Sequence, residues 1–126
     1  MLFDSTFLIH AGGQRGRRLQ IAAENFLRMH LDAPLYTSRV CWAEFAEGCD
    51  TPGDVSNVMQ RFTVIEIDEV TAWSASRLAR DLRGTGRHIG DNDIWVAATA
   101  LSHGLPLVSL NARHFERVSG LRVLTY

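Results

Sequence analysis

The sequence contains no lysine, and all 13 of its basic residues are arginines. A P-loop needs the lysine of the GxxxxGK(S/T) motif, so P-loop nucleotide chemistry is excluded. Schiff-base catalysis and catalysis by a lysine general base are excluded for the same reason.

Cysteine is also scarce, with Cys41 and Cys49 as the only two. Two cysteines do not make a disulfide framework, and they are too few for a four-ligand zinc site. The five histidines show no HxxxH or HExxH spacing, which leaves a zinc hydrolase without support. A reduced, cytoplasmic chain is the simplest interpretation.

Long apolar runs are absent, because no stretch approaches the roughly 20 residues that span a bilayer. The first residues, MLFDSTFLIHAGG, have neither a basic start nor a long apolar stretch, so we expect no secretory signal and no membrane partner. An excess of one charge is absent too, since 13 basic and 14 acidic residues give a net charge of −1. A protein that binds nucleic acid by bulk charge would be more basic, so any such contact must be local.

The chain has 126 residues, 46% of them hydrophobic, which fits one compact domain with one core. Short apolar segments alternate with amphipathic ones along its length, which predicts strands that alternate with helices. The predicted strands are Met1 to Phe3, Leu35 to Thr37, Phe62 to Ile67, Leu107 to Leu110 and Leu121 to Thr125. The predicted helices include Leu19 to His30, Val55 to Arg61, Ile94 to His103 and two that begin at the caps Ser38 and Asp68. This alternation predicts an α/β fold with a mostly parallel sheet that helices cover on both faces.

Several polar residues are predicted at one edge of this sheet, outside the carboxyl ends of the strands, where ligands bind. Asp4 ends the first strand, Asp93 opens the alanine-rich helix, and Asn111 follows the strand Leu107 to Leu110. Glu44 lies in the helix after the second strand, among apolar neighbours. Converging carboxylates repel one another unless a cation neutralises them, and Mg²⁺ or Mn²⁺ prefers oxygen ligands. The pattern therefore predicts a site for metal-dependent phosphoryl transfer or hydrolysis.

Each of these residues also has a purely structural interpretation. Asp4 is a candidate turn residue or helix cap, and Asp91 or Asp93 would favour the positive end of a helix. Glu44 would be a solvated helix residue, and Asn111 an ordinary turn residue. The joint pattern favours the functional interpretation, because all of them fall near one predicted edge.

Three segments resemble the PIN-domain ribonucleases, and specifically the VapC-type toxins of toxin–antitoxin pairs. FDSTFLI is similar to the family's start, and SRVCWAEFAEG to the helix that carries its glutamate. HIGDNDIWVAATALSHGLPLVSLNARHFERVSGLRV is similar to its C-terminal half. The family's acids then correspond to Asp4, Glu44 and Asp93. The resemblance implies one PIN domain over residues 1–126, with a PIN-like three-layer α/β/α fold.

The resemblance further implies an endoribonuclease that depends on Mg²⁺ or Mn²⁺. Asp4, Glu44 and Asp93 would be catalytic and would hold the ion directly or through water. An activated water would then attack the RNA phosphorus. Ser5 and Ser109 would support the site. The implied partners are an RNA substrate, a VapB-type antitoxin that places a segment in the acidic groove, and a second copy of the chain in a homodimer.

The chain departs from the family at two positions. Asn111 stands where many PIN domains have an aspartate, and His114 stands where related members often carry an acid. Neither an amide nor an imidazole brings negative charge, so a tightly held second ion is not implied. Asn111 and Asp91 are the further candidate ligands. These departures favour the alternative of a PIN-fold RNA- or protein-binding module with weak catalysis.

Two groups of arginines are candidate RNA contacts. Arg15, Arg17 and Arg18 lie among three glycines, and Arg83 and Arg87 flank the glycines before Asp91. The alternative is that both groups belong to solvated surface loops.

Two other enzyme classes with a similar sheet do not fit. A haloacid-dehalogenase-type phosphatase needs a second aspartate two residues after its nucleophile, and that position holds Thr6. A receiver domain needs a lysine, which the sequence lacks.

Overall fold

Short strands alternate with helices along the whole chain, and the computed structural model describes all residues 1–126. The strands are β1 (Leu2–Phe3), β2 (Tyr36–Ser38), β3 (Thr63–Ile65), β4 (Leu107–Val108) and β5 (Val123–Leu124). The helices are α1 (Ser5–Ala11), α2 (Arg17–Arg28), α3 (Arg39–Glu47), α4 (Pro52–Met59), α5 (Glu69–Gly84), α6 (Asp91–Ser102) and α7 (Ala112–Phe115). None of these helices has the length and apolar character to cross a membrane.

The five strands form one sheet in the order β3-β2-β1-β4-β5, and every neighbouring pair is parallel. The predicted α/β architecture with a mostly parallel sheet is therefore confirmed. Strand β1 is central, with Phe3 in register with Thr37 on one side and Val108 on the other. Because the strands are parallel, the residues that follow them, Asp4 and Ser109 among them, emerge at the same edge.

Side-chain caps explain where several helices begin. Ser38 accepts a hydrogen bond from the backbone N–H of Cys41, and Asp68 accepts one from that of Thr71. Both caps were predicted from the sequence, and both are confirmed. These bonds satisfy N–H groups that have no partner within the first helical turn. The cap at Ser38 also sets the start of α3 directly after β2, which brings this helix to the carboxyl edge of the sheet.

The core under this edge is built from aromatic rings and small side chains. Phe3 packs against Phe7, Phe26 and Phe62 with ring centroids 4.5, 6.0 and 5.4 Å apart. On α6, the alanines Ala97, Ala98 and Ala100 are fully buried, and short side chains allow the helix to lie close to its neighbours. The apolar segments thus form the core, and the polar residues that follow them lie at the carboxyl edge, where they can bind a ligand.

The helix α6 begins at Asp91, three residues before the predicted start at Ile94. Gly90 precedes it with φ +96°, a conformation that glycine adopts without strain, and this allows the chain to turn directly into the helix. The first turn therefore contains the whole Asp91–Asp93 segment. Four of the five strands are also shorter than predicted, as in β3, where the predicted ends Glu66 and Ile67 are exposed, while β2 keeps its predicted length and lies one residue later.

Candidate active site

Asp4 lies at the centre of the carboxyl edge and is 6% exposed. Its Oδ1 accepts a 2.8 Å hydrogen bond from the backbone N–H of Phe7, so Asp4 is also the N-cap of α1. Burial raises the pKa of Asp4 to about 6, although hydrogen bonds from Ser109 and Phe7 oppose the shift. The charges of Asp93 and Glu44 raise this pKa further. Asp4 therefore caps α1 and also lies among the other acids.

Asp93 lies in the first turn of α6 and is half-buried. Burial raises its pKa, the neighbouring His114 lowers it, and the charge of Glu44 raises it. The Nδ1 atom of His114 lies 3.2 Å from Oδ2 of Asp93. The charges of Asp93 and Asp4 act on each other, and so do those of Asp93 and Glu44.

Glu44 reaches the same place from α3. It is half-buried, and its Oε1 accepts a 2.8 Å hydrogen bond from the side-chain amide of Asn92. Asn92 is not among the site residues predicted from the sequence, although one signal was available. The amide is the residue directly before Asp93, in the same helical turn, and a residue there can reach across to the neighbouring helix.

The segment from Ser109 to His114 closes the other side of the site. Ser109 is fully buried and lies next to β4, and hydrogen bonding from its side chain lowers the pKa of Asp4. Its Oγ accepts a 3.0 Å hydrogen bond from the backbone N–H of Asn111. The Nδ2 atom of Asn111 in turn lies 2.7 Å from Nδ1 of His114. This segment contacts Asp4 at one end and Asp93 at the other.

Little positive charge opposes these acids. Neither Asp4 nor Glu44 forms an ion pair, and Asp93 has only the imidazole of His114. No group of three or more histidine, cysteine, aspartate or glutamate side chains is arranged to hold a metal ion. Mg²⁺ keeps several waters and needs only one or two carboxylates, so a buried acid beside a second acid still fits such an ion.

Asp91 does not join the three acids. It is exposed, and its Oδ1 lies 3.6 Å from Arg83 and 3.6 Å from His88. Asn111 is exposed, and its amide faces His114. Ser5 follows Asp4 as the first residue of α1 and is partly buried.

The candidate RNA-binding arginines are exposed. Arg15 lies in the turn after α1, while Arg17 and Arg18 begin α2. Arg83 lies in the last turn of α5, and Arg87 follows that helix. None of the five forms an ion pair with the three acids. Their contact with RNA stays a prediction.

A groove of about 380 Å³ opens beside Glu44 and Asn92. Arg39 lines it as well and forms an ion pair with Glu66. Of the three acids, only Glu44 lines this open groove.

Comparison with known proteins finds sequences that are named as ribonucleases. The chain is 35% identical to the ribonuclease VapC1 of Rickettsia felis over 71 residues, which cover 56% of this chain and 53% of that protein. The chain spans about half the length of this and other curated relatives that it matches.

Solved structures match over nearly the whole length. The VapBC2 structure from Rickettsia felis bound to a promoter DNA fragment contains a chain with a TM-score of 0.83 and 18% identity, covering 98% of this chain and 96% of that one. A toxin–antitoxin complex from Klebsiella pneumoniae contains one with a TM-score of 0.74 and 25% identity, covering 98% and 95%. The PIN-like α/β/α fold is thereby confirmed. The PIN domain profile matches residues 1–121, and the chain belongs to the PIN domain family.

Proposed function

We propose that this protein is a metal-dependent endoribonuclease and the toxin of a VapBC-type toxin–antitoxin pair. One observation carries the proposal: Asp4, Glu44 and Asp93 lie close enough at the carboxyl edge to act on one another, and no arginine is paired to any of them. Burial raises the pKa of Asp4 and Asp93, and the negative charges of the neighbouring acids add to this rise. Repulsion of this kind costs folding stability unless a cation relieves it. The relative named as a ribonuclease supports the activity.

The ion would be Mg²⁺ or Mn²⁺, because the donors are carboxylate oxygens. Asp4 and Asp93 would hold it, and Glu44 would hold it directly or through water. When bound, such an ion activates a water and neutralises charge at the phosphate. The departures at Asn111 and His114 support a single ion, since neither adds a negative charge.

The side chains divide the remaining work. Ser109 and the N–H of Phe7 hold the Asp4 carboxylate and favour its charged form against the effect of burial. Glu44 is less enclosed than Asp4, and Asn92 orients it. Glu44 would therefore accept the proton of the attacking water. The products would carry 5′-phosphate and 3′-hydroxyl ends.

The partner would be a VapB-type antitoxin, with the two proteins acting in the cytoplasm. The similarity to a chain in a toxin–antitoxin complex supports this assignment. The unpaired carboxylates of Asp4 and Glu44 fit an arginine from such a partner, which can bind a carboxylate through two hydrogen bonds. We expect the toxin to form a homodimer.

A second candidate is a PIN-fold module that binds RNA or protein with weak catalysis. It is favoured by the neutral Asn111, by the imidazole of His114 and by the lack of a preassembled ligand set. The two candidates differ in the rate of RNA cleavage that depends on Asp93, which is high for the nuclease and weak for the binding module.

The test is cleavage of structured RNAs in Mg²⁺ or Mn²⁺ by the wild type, Asp93→Asn and Asp81→Asn. Asp81 lies exposed on α5 and serves as the matched control. We expect Asp93→Asn to lose at least about 100-fold in rate, the size of effect typical for a charged group in a reaction site. The control should cleave like the wild type. Equal cleavage by Asp93→Asn would contradict the proposal.

A further inference from the structure

His114 occupies an unusual position between two polar groups. Its Nδ1 lies 3.2 Å from Oδ2 of Asp93 and 2.7 Å from the side-chain amide nitrogen of Asn111. A single ring nitrogen therefore faces a carboxylate and an amide at once. Whether this nitrogen donates or accepts a hydrogen bond determines whether His114 attracts or repels the carboxylate of Asp93.

Two arrangements are available to the neutral ring. If Nδ1 lacks a proton, it accepts a hydrogen bond from Asn111, but its lone pair then faces the carboxylate oxygen of Asp93, which is repulsive. If Nδ1 carries the proton, it donates to Asp93. A half-turn of the Asn111 amide then presents its oxygen instead of its nitrogen and moves no other atom. In the second arrangement the single Nδ1 proton lies between the oxygens of Asn111 and Asp93 in a three-centre hydrogen bond, so neither contact is repulsive.

The surrounding structure fixes the ring in place. Phe115, the next residue, is 2% exposed and anchors α7 in the core. The loop before α7 is held by the hydrogen bond from the backbone N–H of Asn111 to Ser109. His114 is itself partly buried. The imidazole thus comes from a short, well-anchored segment.

We propose that His114 is a positioning residue that donates a hydrogen bond from Nδ1 to Oδ2 of Asp93 and so fixes the orientation of this carboxylate. This inference rests on the proposed function, and its consequence is that Oδ1 of Asp93 is left free for the ion. The segment from Ser109 to His114 then ties Asp4 and Asp93 into one arrangement. Hydrogen bonds to a ligand's second atom tune metal affinity in this way in other proteins.

The direct test is the tautomer of the ring. Long-range ¹H–¹⁵N NMR spectra of the metal-free protein in EDTA, recorded at alkaline pH, distinguish the two neutral forms. The signals of His114 are identified by their loss in His114→Ala. We expect the form protonated at Nδ1. The form protonated at Nε2 would overturn the proposal, because Nδ1 could then not donate to Asp93.

The second test is the affinity for Mn²⁺ alone, measured by calorimetry on the full chain. An asparagine side chain can place an amide donor near the position of Nδ1, so His114→Asn should keep most of the affinity. His114→Ala should weaken binding by about 10-fold or more, the usual effect of losing such a partner. His103→Asn, at the far end of α6, is the matched control and should bind like the wild type.

The two tests separate failure of the inference from failure of the proposed function. Wild-type affinity in His114→Ala would overturn the positioning role while leaving the metal site intact. If the wild type bound no Mn²⁺ at millimolar concentration, the proposed function would fail. The NMR spectra would still decide whether His114 donates to Asp93.

Discussion

The side-chain amide of Asn92 donates a hydrogen bond of 2.8 Å to Oε1 of Glu44 and so connects the first turn of α6 to the middle of α3. The same turn carries Asp93. One helical turn therefore contributes an acid to the site and holds a second acid that comes from another helix. The bond explains how Glu44, on a different element, keeps a defined position near Asp93.

Replacing Asn92 by alanine should lower the rate of RNA cleavage without unfolding the protein. Glu44 would lose its partner, and kcat should fall by about 10-fold, as is usual for groups that orient a reacting side chain. Asn92 is exposed, so the free energy of unfolding should change by less than about 0.5 kcal/mol. Single-turnover kinetics and thermal unfolding measure the two effects. Asn25→Ala, on the exposed face of α2, is the control. An unchanged kcat would show that Glu44 needs no support.

Replacing Asp4 by asparagine should stabilise the metal-free protein at neutral pH. The folded-state pKa of Asp4, about 6, lies above its ordinary value, so the folded chain binds the extra proton between the two values. The free energy of unfolding therefore falls as pH rises through this window. Above it, the buried charge costs about 1–3 kcal/mol, which Asp4→Asn would restore. Asparagine is as good a helix N-cap as aspartate, so α1 should remain intact.

The measurement is the Tm of both proteins in EDTA between about pH 3 and pH 7. The gain of Asp4→Asn should be largest near neutral pH and should disappear at the acid end. Added Mn²⁺ should raise the Tm of the wild type but not that of the variant, because a ligand stabilises only the form that binds it. A variant that is less stable than the wild type at neutral pH would refute this account of Asp4.

Asp91 and Asp93 should respond differently to the same substitution. Asp91 pairs with Arg83 and His88 at the surface, so Asp91→Asn should leave the Mn²⁺ concentration for half-maximal cleavage within about twofold. Asp93→Asn should raise that concentration or abolish cleavage, since the acid lies beside Asp4 and Glu44. Equal effects of the two substitutions would mean that Asp91 also holds the ion.

The arginines in the turn after α1 and at the start of α2 are expected to bind the RNA backbone. Replacing Arg15, Arg17 and Arg18 together by glutamine should raise KM and leave kcat nearly unchanged. The slope of log KM against log salt should shrink by about 2, because each phosphate that an arginine neutralises on single-stranded RNA adds ~0.7 to the slope. Arg80→Gln, exposed on α5, provides the control. An unchanged slope would assign these arginines to a plain surface loop.

Much of this architecture follows from local sequence signals. The caps Ser38 and Asp68 were predictable because a polar side chain before an apolar-periodic segment satisfies free N–H groups. Asp4 was predictable as an edge residue, because it directly follows a short apolar strand. In each case, the sequence pattern lies within a few residues of the helix or strand end that it predicts.

Interactions between distant segments were not predictable in the same way. The hydrogen bond between Asn92 and Glu44 joins residues far apart in the chain, and it depends on how α3 and α6 pack. The position of His114 against Asp93 depends on the path of the loop after β4. The start of α6 at Asp91 was missed because the predicted helix followed the apolar pattern, which begins only at Ile94.

The most direct test of the central claim is calorimetric titration of Mn²⁺ into the wild type, Asp4→Asn, Glu44→Gln and Asp93→Asn. We expect saturable binding of about one ion per wild-type chain, because only two or three carboxylates serve the site. Binding should be lost in Asp4→Asn and Asp93→Asn and weakened in Glu44→Gln. Binding of equal strength in the wild type and Asp93→Asn would contradict the claim that these acids share one cation.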